Sequence, residues 1–263
     1  MGDLQSQLTI ADGIGWITLN RPSRGNALSS GLVENLLVYL AECVTNPSIH
    51  TVVFTGAGRH FCTGFDLEQV DESSDGDLLH RLVRIETLLD AVWRAPLRTV
   101  ALAQGRVLGA GADLWVACDQ RVLALDSSVC FPGAGFGLVL GTRRLALRVG
   151  AERALEWTSS GATIDCSLAR HSGLATNVLE VVAPASSAEG SEKEVNRWQA
   201  AYPLSPTKVD RITYAGLKAA SRDSHRVGEG MQSDHDLAAL VRSAARPGLK
   251  ARLIAYRDRN RPR

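Results

Sequence analysis

The chain has 263 residues, 45% of them apolar and 22% charged, with a formal net charge of +1 at pH 7. That length suits one main domain with an appendage, and the apolar share is enough to build a core. The near-neutral balance excludes a general electrostatic pull toward nucleic acid or an anionic membrane surface, and no apolar run approaches the ~20 residues of a membrane-spanning helix.

The start, "MGDLQSQLTIADG", has neither a basic flank nor a long apolar stretch, so no secretory leader is expected. "LTIADGIGWITLNRP" reads as two short strands around Asp12-Gly13. "SSGLVENLLVYLAECV" places Leu32, Leu36, Leu37 and Leu40 on one helical face, with Ser30 as the expected cap. "HTVVFTG" is a continuous apolar run closed by glycine, hence a buried strand. After a loop, "LLHRLVRIETLLDAVWRAP" is helical and ends at Pro96. "RTVALAQG" is a second buried strand, "GRVLGAGADLWVACD" carries a glycine-rich turn into a helix, and "QRVLALDSSVCF" returns to strand. Strand and helix therefore alternate at least three times, which predicts an α/β core with parallel pairing. "TRRLALRVGAERALEWTSSG" predicts two helices broken at Gly150, and "SLARHSGLATNVL" a short helix leading into a strand. "APASSAEGSEKE" reads as a surface connection, and beyond Pro203 the pattern is helical. The expected boundary divides a core, 1–195, from a helical region, 196–263.

The five cysteines, at 43, 62, 118, 130 and 166, form no C-x-x-C and no Cys/His pair at zinc spacing. They are expected as reduced core residues of a cytoplasmic protein with no metal site.

The turn at Gly109-Ala110-Gly111 leaves bare backbone at a helix start, where the first N–H groups are unpaired and the dipole is positive. Phosphate binding and stabilisation of a developing oxyanion both want that arrangement. The dinucleotide fingerprint fails at Leu114, no lysine follows at P-loop spacing, and the adjacent Asp113 would repel a phosphate. An enolate or thioester oxygen fits better. A second turn, Gly64-Phe65-Asp66, follows the strand ending at Gly56 and is a candidate for the second donor.

"LNRPSRGNALS", "VVFTGAGRHFCTGFDLEQV", "QGRVLGAGADLWVACDQRV", "FPGAGFGLVLG" and "SSGATIDCSLARHSGLATNVL" together resemble, in order and spacing, the crotonase (enoyl-CoA hydratase/isomerase) superfamily, clearly over about residues 8–180. The resemblance implies an α/β spiral of ββα units with a C-terminal helical trimerisation region. It also implies an acyl- or enoyl-CoA thioester as ligand, with coenzyme A entering only as part of the substrate, and assembly as a homotrimer or a dimer of trimers. Its two oxyanion-hole amides match Phe65 and Ala110, the latter at a position where the family usually has glycine. Family hydratases use two glutamates. The first matches Asp113, one methylene shorter, and the second matches Gly133, which cannot transfer a proton. Asp113 thus fits either a proton carrier or a helix-start acid paired with a backbone N–H.

The same resemblance implies coenzyme A contacts at Arg24, Ala27, Leu28, Cys62, Asp66 and Leu67, with Asp66 also capping its turn. His80, Glu86 and Asp90 read as a solvated helix face, Asp126 as a turn residue, His60 as exposed and Cys62 as core. From Arg242 to Arg263 there are eight basic residues, one acid and one aromatic, Tyr256. This composition reads as a charged helix face, part of which would meet coenzyme A phosphates of a neighbouring subunit, and not as a nucleic-acid surface. Two functions stay open at this point: an enzyme atypical as a hydratase, and a non-catalytic acyl-CoA binder or carrier of the same fold.

Overall fold

The computed structural model describes residues 5–180, 191–204, 207–223 and 232–259. Strands β1 (Ser6–Ala11) and β2 (Ile14–Leu19) form an antiparallel hairpin, turned by Asp12 and Gly13, both at positive φ. Next come helix α1 (Ser30–Thr45), strand β3 (Thr51–Gly56), helix α2 (Asp75–Arg94) and strand β4 (Arg98–Ala103). The cap of α1 is Ser29, one residue earlier than expected, whose side chain accepts from the Leu32 N–H at 3.2 Å. Helix α2 begins with a capping box between Ser74 and Asp77.

Beyond β4 lie β5 (Arg106–Leu108), α3 (Ala110–Ala117), β6 (Gln120–Ala124) and β7 (Ser128–Cys130). The stretch expected as one strand is thus two, broken at the turn after Ala124, and the halves enter different sheets. After a 3-10 turn at Pro132–Phe136 come α4 (Thr142–Val149) and α5 (Ala151–Ser160), divided at Gly150 as expected. Strand β8 (Ile164–Asp165), helix α6 (Cys166–His171) and strand β9 (Asn177–Leu179) complete this part.

The main sheet runs β1-β2-β3-β4-β6-β9, and every pairing after the first is parallel. Its strands β2, β3 and β4 are buried on both faces, which is why they lack polar alternation. A second sheet, β5-β7-β8, is prolonged by single bridges pairing Cys62 with Val107 and Leu28 with Phe65. Each turn of chain therefore adds one strand to the main sheet, a short extended piece to the second, and a helix. That repeat is the expected ββα spiral. The pieces of the second sheet are two or three residues long, too short for any periodicity to register.

The connection expected over 183–194 lies outside the described residues as far as 190, and its last four residues open α7 (Ser191–Ala201). Val195 and Trp198 of this helix pack onto Trp16, Val53, Val100 and Val122 across a face of the main sheet. The boundary expected at residue 195 falls inside α7. Helices α8 (Arg211–Asp223), α9 (Gln232–Ala244) and α10 (Leu249–Arg259) follow. Leu240, Leu249 and Leu253 of α9 and α10 fold back onto Leu78 and Leu82 of α2. Four of the five cysteines are buried and all are free. Among the described residues no helix is long and apolar enough to cross a membrane, and no cluster of metal-binding side chains occurs.

Candidate active site

Two glycine turns meet backbone to backbone. Gly64 has φ +96°, and a side chain there would sit 2.9 Å from the Leu108 carbonyl oxygen and 3.5 Å from the Ala110 nitrogen. Gly109 has φ +53°, with Gly64 Cα 3.9 Å from where its own side chain would lie. Only glycine combines such φ values with so close an approach. Leu28 donates to the Gly64 carbonyl at 2.7 Å and accepts from the Asp66 N–H at 3.3 Å. These two bonds flank Phe65 and leave its own N–H on the side away from Leu28. Ala110 is the first residue of α3, where no intrahelical acceptor exists. Among the described residues neither N–H donates to another backbone group. Phe65 and Ala110 line the same cavity, of about 90 Å³.

Asp113, one turn into α3, lines that cavity as well and is 6% exposed. Its N–H closes the first turn onto the Gly109 carbonyl, but its carboxyl makes no hydrogen bond among the described residues. The helix-start pairing considered for it is therefore not what holds it. Burial pushes its pKa well above the usual carboxylate range; Arg144 draws it down and Glu86 pushes it further up. Glu86, expected on a solvated face, is instead 3% exposed and paired with the fully buried Arg144 at 2.5 and 3.1 Å. Gly141, at φ +68°, makes room for the acid, since a side chain there would overlap the carboxyl, coming 2.5 Å from its Cγ. Gly141→Ala is expected to cost about 1–2 kcal/mol for the left-handed backbone alone and to displace Asp113, read as a lower melting temperature together with reduced turnover.

Gly133 stands in the wall of the cavity with no side chain to offer. Leu82, Phe131, Phe136, Leu138 and Leu140 make the rest largely apolar, and α10 closes it with Leu253 and Tyr256. Arg252 holds α10 there by donating to the carbonyls of Phe136 at 3.2 Å, Gly137 at 3.3 Å and Ala244 at 3.1 Å.

The Phe65 loop is pinned by two arginines that the sequence does not single out. Arg21 donates to Asp66 Oδ2 at 2.7 Å and to the Ala27 carbonyl at 2.6 Å. Arg81 donates to the Asp66 carbonyl at 2.6 Å and lies 4.4 Å over the Phe65 ring. Asp66 also accepts from the Glu68 N–H at 3.0 Å, so its carboxylate organises the turn. Of the residues expected to meet coenzyme A, Leu67 lines the cavity and Arg24 is exposed but ion-paired with Glu68. Ala27, Leu28 and Cys62 are buried, and the backbone N–H of each is already donated to a carbonyl of the chain. Burial pushes the Cys62 thiol up to about 12, and its sulfur lies where a side chain on Gly111 would go. His60, expected exposed, is half-buried and accepts from the Arg106 N–H at 3.1 Å. In the basic tail, Lys250, Arg252, Arg257 and Arg259 all bond to groups of their own chain.

The sequence matches the family model for enoyl-CoA hydratase/isomerase over residues 9–231. It is 32% identical over 201 residues to the ethylmalonyl-CoA decarboxylase of Gallus gallus, covering 75% of this chain and 66% of that protein. A Mycobacterium tuberculosis protein bearing the name enoyl-CoA hydratase echA6 is 34% identical over 174 residues, covering 65% and 69%. A crystal structure from Bordetella parapertussis, named for the enoyl-CoA hydratase/isomerase group, superposes with a TM-score of 0.80 at 38% identity, covering 99% of this chain and all of that one. The chain spans about two-thirds of the length of these curated relatives.

Proposed function

This chain belongs to the enoyl-CoA hydratase/isomerase family, and on that premise we propose that it generates the enolate of an acyl-CoA thioester, with Phe65 and Ala110 N–H groups at the oxygen and Asp113 as the single proton carrier. The observation that carries this reading is that two amides and one buried carboxyl, none of them hydrogen-bonded among the described residues, open on one apolar cavity. An oxyanion-hole donor contributes about 3 kcal/mol where charge develops on the oxygen.

Hydration needs one group to orient water and another to protonate the α-carbon, each supplying ~10²–10⁴-fold. With Gly133 in the wall, one of the two has no side chain. Decarboxylation of an α-carboxyacyl thioester needs only what is present. The bond from the α-carbon to the carboxylate breaks, its electron pair forms the enolate, and carbon dioxide leaves. Asp113 then gives its proton to the α-carbon and recovers one from water. A raised pKa suits this step twice, because the acid carries the proton to be delivered and does not repel an anionic substrate. The apolar wall strips water from the departing carboxylate. The name borne by the Gallus gallus relative agrees with this choice.

The test is turnover of malonyl-, methylmalonyl- and ethylmalonyl-CoA against crotonyl-CoA and longer enoyl-CoAs. Carbon dioxide release well above hydration supports the proposal. Faster hydration of crotonyl-CoA overturns it. Calorimetric binding with no turnover of any ester would assign the chain as an acyl-CoA carrier. Gly133→Glu is expected to raise crotonyl-CoA hydration by about 10²-fold, since a side chain at 133 meets nothing closer than the Leu138 carbonyl at 3.6 Å.

The helical region after residue 195 is proposed as the self-association surface. Ile212 and Leu217 of α8 are 85% and 60% exposed, which supports that reading, and light scattering would show it as a trimer or hexamer. A single species at monomer mass would remove it.

A further inference from the structure

A second cavity, of about 560 Å³, shares no wall residue with the first. It lies among Trp93 at the end of α2, Asp119 after α3, Arg148 on α4, and Tyr214, Lys218 and Arg222 on α8. Trp93 is eleven residues along α2 from Leu82 of the first cavity, or ~16 Å at helical rise.

Three cations and one carboxylate make up its charge. Asp119 is fully engaged: Lys218 Nζ lies 2.9 Å from Oδ2, Arg222 Nη2 lies 2.5 Å from Oδ1, and the Tyr214 hydroxyl and Thr99 N–H donate to Oδ2 at 3.3 and 2.9 Å. Arg148 has no carboxylate partner among the described residues. It donates to the carbonyls of Val116 at 3.4 Å and Cys118 at 2.9 Å, which accept hydrogen bonds but carry no compensating charge. Arg222 keeps one buried nitrogen, Nη1, without a hydrogen bond. The guanidinium groups of Arg148 and Arg222 stand 4.8 and 3.8 Å from the Trp93 ring centre, so the aromatic ring holds both in place. Behind the wall, Arg121 adds a further buried positive charge that is likewise bonded to carbonyls. Burial draws Lys218 down to about 8 and Arg148 down to about 9, the latter helped by Arg121 and Arg222. Buried cations in excess of their counter-charges are costly, and an anion seated among them removes that cost.

We infer that this cavity binds a phosphate-type oxyanion, free or carried on a small molecule, at a site separate from the thioester cavity. The excess of two positive charges in the wall matches a dianion. Arginines with N–H groups to spare suit phosphate oxygens, and the volume accommodates more than the phosphoryl group itself.

The experiment is calorimetric titration of the full chain with inorganic phosphate and with ribose 5-phosphate at constant ionic strength, with chloride as control. Saturable binding of either is expected, and their relative affinities separate a free anion from a phosphorylated molecule. Arg148→Gln should weaken it by about tenfold or more, the loss of one charge-assisted contact, and Arg148→Lys should restore part of it. Turnover of the thioester should be unchanged in both. A readout free of any folding defect comes from the wild type, whose tryptophan emission should change saturably with phosphate, a change lost in Trp93→Phe. Heats no larger than those of chloride, or equal phosphate affinity in wild type and Arg148→Gln, would overturn the inference. So would dissociation of an oligomer by Arg148→Gln without any phosphate binding, which would assign the cavity to a carboxylate of a second copy.

Discussion

Asp113→Asn is expected to lower turnover by about 10²–10⁴-fold while raising the melting temperature at neutral pH. Both effects come from one fact, a carboxyl largely removed from water and, among the described residues, without a hydrogen-bonded partner. Asparagine keeps the shape and loses the transferable proton, so the loss should fall on kcat with little change in KM. The stability change has a defined sign. The folded-state pKa lies above that of the unfolded chain, so between the two values the folded form holds the proton and the unfolded form has released it. Stability of the wild type therefore falls as pH rises across that window, and the lost increment does not return at higher pH. The variant has nothing to titrate there. Its advantage should grow from about pH 4 upward and level off once the wild-type acid is ionised. Thermal melts of both proteins from pH 4 to 9, paired with decarboxylation rates, test the two effects separately. Equal turnover would remove Asp113 from the chemistry. Melting curves that stay parallel across pH would show that its acidity is not perturbed.

Ala110→Pro should lower turnover by about 10²–10³-fold with almost no loss of stability. Ala110 is the first residue of α3, the one helical position where proline is welcome, because the N–H it removes has no intrahelical acceptor. The preceding Gly109, at φ +53° and ψ −128°, lies outside the helical region that proline disfavours in its neighbour. What proline deletes is one of the two N–H groups assigned to the enolate oxygen. Its ring also projects where that oxygen would lie, so thioester binding should weaken as well. Full activity in a folded Ala110→Pro variant would eliminate the oxyanion hole. An unfolded variant would mean that the Ala110 N–H has a structural partner.

The Gly64 and Gly109 turns could be read from sequence because close backbone approach and positive φ admit almost no residue but glycine, and each turn lies within ten residues of an apolar strand. Phe65, Ala110 and Asp113 come with those turns, at fixed offsets of one to four residues. Gly133 was equally legible as a missing acid. The Arg81 contact left no such mark. An arginine on α2 that stacks on Phe65 looks like any other helix-surface cation until the loop is laid across it. Glu86 was misread for the same reason, since only the arrival of Arg144 from α4 makes an apparently solvated position a buried ion pair.

By itself, then, the order of residues determined the alternation of strands and helices, the two glycine turns and which backbone amides follow them, because these depend on local φ/ψ limits and on apolar runs within a few residues. The tertiary structure alone decided the raised pKa of Asp113, the closure of the first cavity by Leu253 and Tyr256, and the gathering of Arg148, Lys218 and Arg222 around a second cavity. Desolvation and charge balance are sums over whatever the fold brings within a few ångströms, and those neighbours come from segments far apart along the chain.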